Sequence, residues 1–402
     1  MAKAERIHLP LSRLQTGITV KLPLSWTDHP FLFNRIEIKD ASQIEMIRNL
    51  GVPYVILLSD EELLNDVIEE EDEAQQATEQ TKDNKPDPKA SARKAIRKSQ
   101  GRFLNAINDC RTVVSKLVSD PEGAVREASA LVELMLEHLL ESDNPKLALV
   151  SSGEGAPSVT QHGISVAVLA LMIGHSLELS KDKLRDIALG ALLHDIGKLK
   201  VPDAIRRKRG PLSPHESNFL SMHPNFGYDM LKRSGLFGNE VLHIVMHHHE
   251  FIDGSGYPDG LKLAKLPLTT QIVALANDYD SQLARQEMVS PQIALGYLFK
   301  NRVGQHQEQL ISALVKVLGI YPPGTLVSLS DNSVGKVMMT TAEVRQPQVW
   351  ACKRDGSEPK LRFLMDEEVS VEAVLKSDEL TEGASKTLQT GASISFYFSA
   401  LE

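Results

Sequence analysis

The sequence predicts a multidomain α+β chain. A long all-helical middle region lies between a small strand-rich N-terminal domain and a small β-rich C-terminal tail. Three observations carry this. Apolar residues alternate with period two in parts of the first 58 residues, and short apolar runs between turn signals follow Tyr321. Between about 146 and 318 they recur with helical spacing. A charged stretch almost free of apolar residues separates the first region from the rest. A length of 402 residues suits about two to four domains of roughly 100–200 residues each.

In the N-terminal domain (1–65), Ile7, Leu9 and Leu11 alternate, as do Ile18, Val20 and Leu22. Each set predicts a half-buried strand, and Ile36–Ile38 and Tyr54–Leu58 predict two more. A helix is expected from Ala41 to Leu50, stopped by Gly51. The acidic run Glu69, Glu70, Glu71, Asp72, Glu73 and the polar segment EQTKDNKPDPKAS mark a flexible linker over 66–100.

Lys89, Arg93, Lys94, Arg97, Lys98 and Arg102 recur about one turn apart on a helix that runs to near Leu117. A second helix, Pro121–Leu140, gathers Leu131, Leu134, Met135 and Leu139 on one side. The apolar faces of these connecting helices (101–145) suit a homodimer or packing on the helical core, and the second is the expectation.

The middle domain (146–320) shows helix starts. Ser180 is an N-cap, and Ser213-Pro214-His215-Glu216 is a capping box with proline at the first helical position. Ser290-Pro291 opens another helix. In the tail (321–402), Pro322-Pro323-Gly324 is a turn. Strands are expected at Leu326–Leu329, Val334–Met339, Val349–Cys352, Leu361–Leu364 and Ile394–Phe398.

Charge and cysteine usage exclude several classes. A net charge of −9 argues against a nucleic-acid polymer as partner. It still allows a small phosphate ligand held by local cations or metal. Cys110 and Cys352 are too few for a disulfide framework or a four-thiolate zinc site, and suit a reducing compartment. No run reaches the ~18 apolar residues of a membrane span, and MAKAERIHLPLSRL lacks the apolar core of a secretory signal. A cytoplasmic protein without a membrane span is expected.

The histidines are unusual in placement. His162, His194, His223, His247, His248 and His249 all fall in the helical region, with Asp195, Glu250 and Asp253 adjoining. Imidazole with carboxylate suits zinc, iron, manganese or nickel. His194-Asp195 ends an apolar helix, ALGALLHDIGK. An ionised aspartate there is costly unless paired or metal-bound, and its two oxygens can bridge two metals. His247, His248 and His249 span only part of a turn and cannot all face one point, so His247 is expected outside the site.

In order, His194-Asp195-Ile196-Gly197-Lys198, His223-Pro224, His248-His249-Glu250 and Asp253-Gly254-Ser255-Gly256-Tyr257-Pro258 resemble the HD-GYP family. That family is a bacterial branch of the HD superfamily of metal-dependent phosphohydrolases. Residues 5–58, with Ser25-Trp26 and His29-Pro30-Phe31, look like the domain of unknown function often found upstream. IYPPGTLVSLSD is similar to the segment that commonly ends such domains.

The resemblance implies an HD-type helical catalytic domain that hydrolyses cyclic di-GMP to linear pGpG and, in some members, on to GMP. It implies two divalent transition-metal ions (Fe, Mn, Ni or Zn). Their ligands would be His162, His194, Asp195, His223, His248 and His249, with Asn277 at a further ligand position. Asp195 and a hydroxide would bridge the metals, the hydroxide attacking phosphorus in line. Asp195 and Lys198 would be catalytic, Lys198 on a phosphate oxygen. Substrate contacts would come from Lys198, Arg285, Gly256, Tyr257 and Pro258. Tyr257-Pro258 would shape the loop or a partner surface, since in this family the loop is associated with diguanylate cyclase domains.

Two positions depart from the family pattern. Many members carry Glu where this chain has Ser158, so a third metal is not expected. Active members carry an aspartate in an ADxFDAL-like segment, here Ala276-Asn277-Asp278-Tyr279-Asp280. Ungapped counting puts Asn277 at the ligand position. Asp278 serves only if the register slips by one, a rotation of about 100° on a helix. Two other readings follow: a catalytically weak cyclic di-GMP sensor or docking module, and an HD-type phosphohydrolase of another nucleotide. The DGSGYP loop argues against the latter.

Overall fold

A computed structural model describes residues 7–23, 35–38, 44, 47–48, 52, 54–57, 88–151, 158–206, 208, 210–284 and 290–400. The chain divides into two compact units, the smaller holding the N-terminal sheet with Cys352–Lys360 and Thr381–Gln389 of the tail, the larger most of the helices and the rest of the tail.

In the smaller unit, β1 (Ile7–Pro10), β2 (Thr19–Lys21), β3 (Arg35–Glu37) and β4 (Tyr54–Leu57) form an antiparallel sheet in the order β1-β4-β2-β3. Its core gathers Leu14, Val20, Leu22, Ile38, Ile47 and Val55. Of the helix expected over Ala41–Leu50, the described residues Ile44, Ile47 and Arg48 are helical. Ser25-Trp26, His29-Pro30-Phe31 and the acidic run lie outside the described residues.

The larger unit opens with α1 (Pro88–Lys116) and α2 (Pro121–Leu140). The linker drawn to residue 100 is therefore too long, because 88–100 is already helix. Its basic residues mask an opposite face on which Ala92, Ile96, Ser99 and Phe103 are buried. α1 and α2 pack on the helical core, as their apolar faces led one to expect: Phe103, Ile107, Leu131 and Met135 belong to the same core as the helices that follow.

Next come β5 (Lys146–Val150), α3 (Val159–Ser176), α4 (Lys181–Leu193), α5 (Asp203–Arg206), α6 (Pro214–Leu220), α7 (His223–Ser234), α8 (Asn239–His247), α9 (Leu268–Leu283), α10 (Pro291–Asn301) and α11 (Glu308–Leu318). The tail adds β6 (Leu326–Leu329), β7 (Val334–Met339), β8 (Gln348–Cys352), β9 (Lys360–Phe363), β10 (Val371–Leu375), α12 (Glu382–Thr387) and β11 (Ser395–Ser399).

β5 corrects the reading of 146–320 as helix throughout. It pairs antiparallel with β11, Val150 opposite Ser395 and Lys146 opposite Ser399. A short apolar run such as Leu147–Val150 does not distinguish strand from buried helix, and its partner lies near the far end of the chain. The tail is thus not separate from the helical domain. Its sheet runs β10-β6-β7-β5-β11, with β8 and β9 extending from β7, and Phe396, Tyr397 and Phe398 of β11 are fully buried in the helical core.

α3 is apolar all round, as befits a helix surrounded by protein. It is flanked by α1, α4, α9 and α11. Among the described residues it is the one helix long and apolar enough to cross a membrane, and 78% of it is buried inside the protein. Ser158 caps its start, Oγ accepting from the Gln161 N–H at 3.2 Å. Ser180 caps α4, and Ser213 with Glu216 forms the capping box of α6.

Candidate metal centre

The centre forms where helix ends converge. His162 sits in the first turn of α3. His194 ends α4, and Asp195 starts the short 3-10 turn Ile196–Lys200. His223 opens α7, and His248 and His249 follow α8. Buried Leu193 and Ile196 anchor the turn on the core. Gly197 lets it approach α7: a Cβ there would stand 1.9 Å from the His223 carbonyl oxygen.

Asp195 is the hub and only 3% exposed. Its Oδ1 lies 3.2 Å from His223 Nε2 and 3.8 Å from His248 Nε2. Its Oδ2 lies 3.5 Å from His194 Nε2, 3.7 Å from His162 Nε2 and 2.6 Å from Lys198 Nζ. Two ligand sets result, Asp195/His223/His248/His249 and His162/His194/Asp195, each with its donor atoms within 4.8 Å of one another. They share Asp195.

The donor chemistry fits divalent metal. His194, His223 and His248 donate Nδ1–H to the carbonyls of Ala191, Leu220 and Val245 at 2.7, 2.8 and 2.8 Å. That tautomer leaves each Nε2 lone pair bare and aimed inward. The Nε2 atoms of His223 and His248 face each other at 3.1 Å, an approach that calls for a proton or cation between two lone pairs. His194 Nε2 and Asp195 Oδ1 are buried without a hydrogen-bond partner, an arrangement that is costly unless an ion satisfies it.

Electrostatics prepare the same groups. Burial lowers His194 to about 4 and holds His248 and His249 well below the usual imidazole range, so these rings are neutral at pH 7. Burial would raise the Asp195 carboxyl, but Lys198, His194 and His223 outweigh it and hold Asp195 well below the usual carboxylate range. For His162, burial lowers the affinity for a proton, but the hydrogen bond and charge of Asp280 prevail and raise it.

Asn277 joins this group. It is 4% exposed, and its Oδ1 lies 3.0 Å from His162 Nε2. Asp278, the alternative in a slipped register, points elsewhere: Arg302 Nε donates to it at 2.8 Å and His306 Nε2 lies 3.1 Å away. Ser158, in the position where a third metal would need a carboxylate, is the α3 cap. His247 lies outside the centre as expected, its Nε2 bonded to Asp259 at 3.0 Å. Tyr257 stacks on His249 with ring centroids 4.6 Å apart. Gly256 packs on the backbone of 249–251, and Pro258 follows a cis peptide in the same loop. Arg285 lies outside the described residues.

Sequence reasoning missed Asp280, and named Glu250 as an adjoining acid without its role. Asp280 Oδ2 accepts from His162 Nδ1–H at 2.6 Å. Its spacing of three from Asn277 on one helix face was the available signal. Glu250 is 2% exposed and accepts the N–H groups of Asp259 and Leu261 at 2.7 and 2.9 Å. It fastens the loop beside the centre.

The chain matches the HD domain family over residues 117–306 and the Domain of unknown function (DUF3391) over residues 6–128. It is similar to a cyclic di-GMP phosphodiesterase of Pseudomonas aeruginosa, 29% identical over 339 residues, covering 82% of this chain and 81% of that protein. It is 36% identical over 152 residues to a cyclic di-GMP phosphodiesterase response regulator of Xanthomonas campestris pv. campestris, covering 37% of this chain and 40% of the other. A 3'3'-cGAMP-specific phosphodiesterase of Vibrio cholerae is 32% identical over 131 residues, covering 32% of this chain and 25% of the other. The chain thus spans less than half the length of these last two relatives.

Proposed function

We propose that this chain, which belongs to the HD domain family and is a phosphodiesterase of the HD-GYP type, takes cyclic di-GMP as its substrate and opens one of its phosphodiester bonds by hydrolysis. The observation that carries the reading is the division of Asp195: each carboxylate oxygen faces its own pair of histidines. His162 and His194 with one oxygen, and His223, His248 and His249 with the other, would hold two divalent ions, with Asn277 as a neutral neighbour of the first set. Bound there, such ions supply Lewis acidity at a phosphate and an acidified water.

The chain's own residues complete the chemistry. The neutral imidazoles of His194 and His248 have their donors committed outward, so proton competition for their Nε2 atoms is low near pH 7. Lys198 offsets the Asp195 charge, and its side chain is 26% exposed. That leaves Nζ at the mouth of the centre, where a phosphate oxygen can be bound and its developing charge stabilised. Two anionic phosphates suit a pocket that concentrates a lysine and metal charge inside an otherwise acidic protein. Linear pGpG is the expected first product. Cys110 and Cys352 are buried free thiols, in keeping with a cytoplasmic location.

The test is a nucleotide panel. Cyclic di-GMP, 3'3'-cGAMP and cyclic di-AMP are incubated with protein supplied with Mn, Fe(II) or Ni, and products are separated by chromatography. Cyclic di-GMP cleaved fastest, with loss of turnover in His194→Ala, supports the reading. Preference for another nucleotide overturns the substrate. A second reading, a sensor that binds cyclic di-GMP without turnover, draws on the uncharged amide of Asn277 beside His162. Saturable binding with no product under any ion would favour it.

A further inference from the structure

Four of the histidines at the centre are oriented by a hydrogen bond at Nδ1: His194, His223 and His248 by backbone carbonyls, and His162 by Asp280. Among the described residues, no hydrogen bond to the His249 ring is found. That ring lies face to face with Tyr257, 4.6 Å between centroids and 15° between planes.

We infer that Tyr257 is a positioning residue for His249 and that Glu250 holds the loop that carries it. This rests on reading His249 as a metal ligand. Glu250 follows His249 directly, and both its carboxylate oxygens are committed to the far arm of the loop, to Asp259 N–H and Leu261 N–H. The base of the loop is closed by a bridge between Asp253 and Lys262. At its centre the Tyr257 N–H donates to the His249 carbonyl at 3.2 Å. Gly256 makes this approach possible, because a Cβ there would stand 2.4 Å from Glu250 Cα and 2.5 Å from the His249 carbonyl oxygen. Clamped at these points, the loop lays the Tyr257 ring on the imidazole. The stack takes the place of the missing Nδ1 bond and limits ring rotation about χ2. The Gly-Tyr pair thereby acquires a role in the metal chemistry: glycine for close approach, tyrosine for the stack.

The test titrates the metal-free full chain with Co(II), reading stoichiometry and d–d absorption, with circular dichroism as the check on folding. Tyr257→Phe keeps the ring and is expected to bind within about threefold of wild type. Tyr257→Leu removes it and is expected to weaken one of two metal equivalents roughly tenfold, within the range typical of groups that orient a ligand. Glu250→Gln, a milder change, is expected to weaken the same equivalent by a smaller factor. His249→Ala identifies that equivalent. If His249→Ala titrates like wild type, the ligand reading fails and this inference with it. If His249→Ala is weakened while Tyr257→Leu and Glu250→Gln both bind like wild type, the positioning role alone is overturned. Equal losses in Tyr257→Leu and Tyr257→Phe would also overturn it, since the hydroxyl and not the stack would then matter.

Discussion

Replacing Gly197 by alanine tests how tightly the aspartate turn is coupled to α7. The added Cβ would lie 1.9 Å from the His223 carbonyl oxygen, 2.5 Å from Gly227 N and 2.9 Å from His223 C. All three are backbone atoms and no rotamer relieves them. Ordinary contact begins near 3.4 Å, so α7 and the turn must separate by about 1.5 Å, and overpacking of this kind typically costs about 1–3 kcal/mol. His223 is the very residue pushed away, and its Nε2 lies 3.2 Å from Asp195 Oδ1. Misplacing a catalytic group by about 1 Å can lower the rate ~100-fold, or about 2.7 kcal/mol of barrier. The expected result for Gly197→Ala is a lower urea midpoint, loss of one metal equivalent and at least a ~100-fold fall in kcat/KM. Gly210→Ala is the control, since nothing lies within 4 Å of its Cβ. A Gly197→Ala protein with wild-type metal content and turnover would refute the coupling.

Further predictions address other groups. Asp280→Asn removes the charged acceptor of His162 Nδ1–H and is expected to weaken metal binding by roughly 10–100-fold, read by Mn(II) titration; unchanged affinity would deny Asp280 its orienting role. Asn277→Asp places a carboxylate beside His162 Nε2 and is expected to tighten that metal by roughly tenfold, about 1.4 kcal/mol, by the same titration. His138 is lowered to about 4, by burial first and then by Arg102, against about 6.5 unfolded. The unfolded chain therefore binds more protons between these values. Stability from the neutral ring is present above about pH 6.5 and lost as pH falls through about 4, a loss on the order of 1–2 kcal/mol after discounting partial exposure. Urea midpoints at pH 7 and pH 5 should differ more in wild type than in His138→Gln.

The convergence of His194, Asp195, His223, His248 and His249 was legible because these residues lie within short motifs, where spacing along a helix end or turn dictates what can converge. The Asn277 register was legible by counting, and the commitment of Asp278 to Arg302 and His306 agrees with it. The orienting groups were not legible. Asp280 is an ordinary acid in the sequence, and Glu250 stands in a motif that does not reveal its partners; what distinguishes both is burial against particular groups. The same limit applies to the fold. Strand alternation in β1 and β2 and the short apolar run of β4 are local and readable. The pairing of β5 with β11 depends on a contact between distant segments, whereas the packing of α1 and α2 on the core was readable from their apolar faces. The helix carrying Lys89 to Arg102 was readable from its one-turn spacing, and only the linker boundary at residue 100 overran it.

The central claim is that Asp195 joins two metal sites into one hydrolytic centre. Metal content and cyclic di-GMP turnover, measured together on chain purified without chelator and on Asp195→Ala, test it most directly. The account predicts about two ions per wild-type chain, turnover that chelation abolishes, and both metal binding and turnover lost in Asp195→Ala. Wild-type metal content and turnover in Asp195→Ala would contradict it.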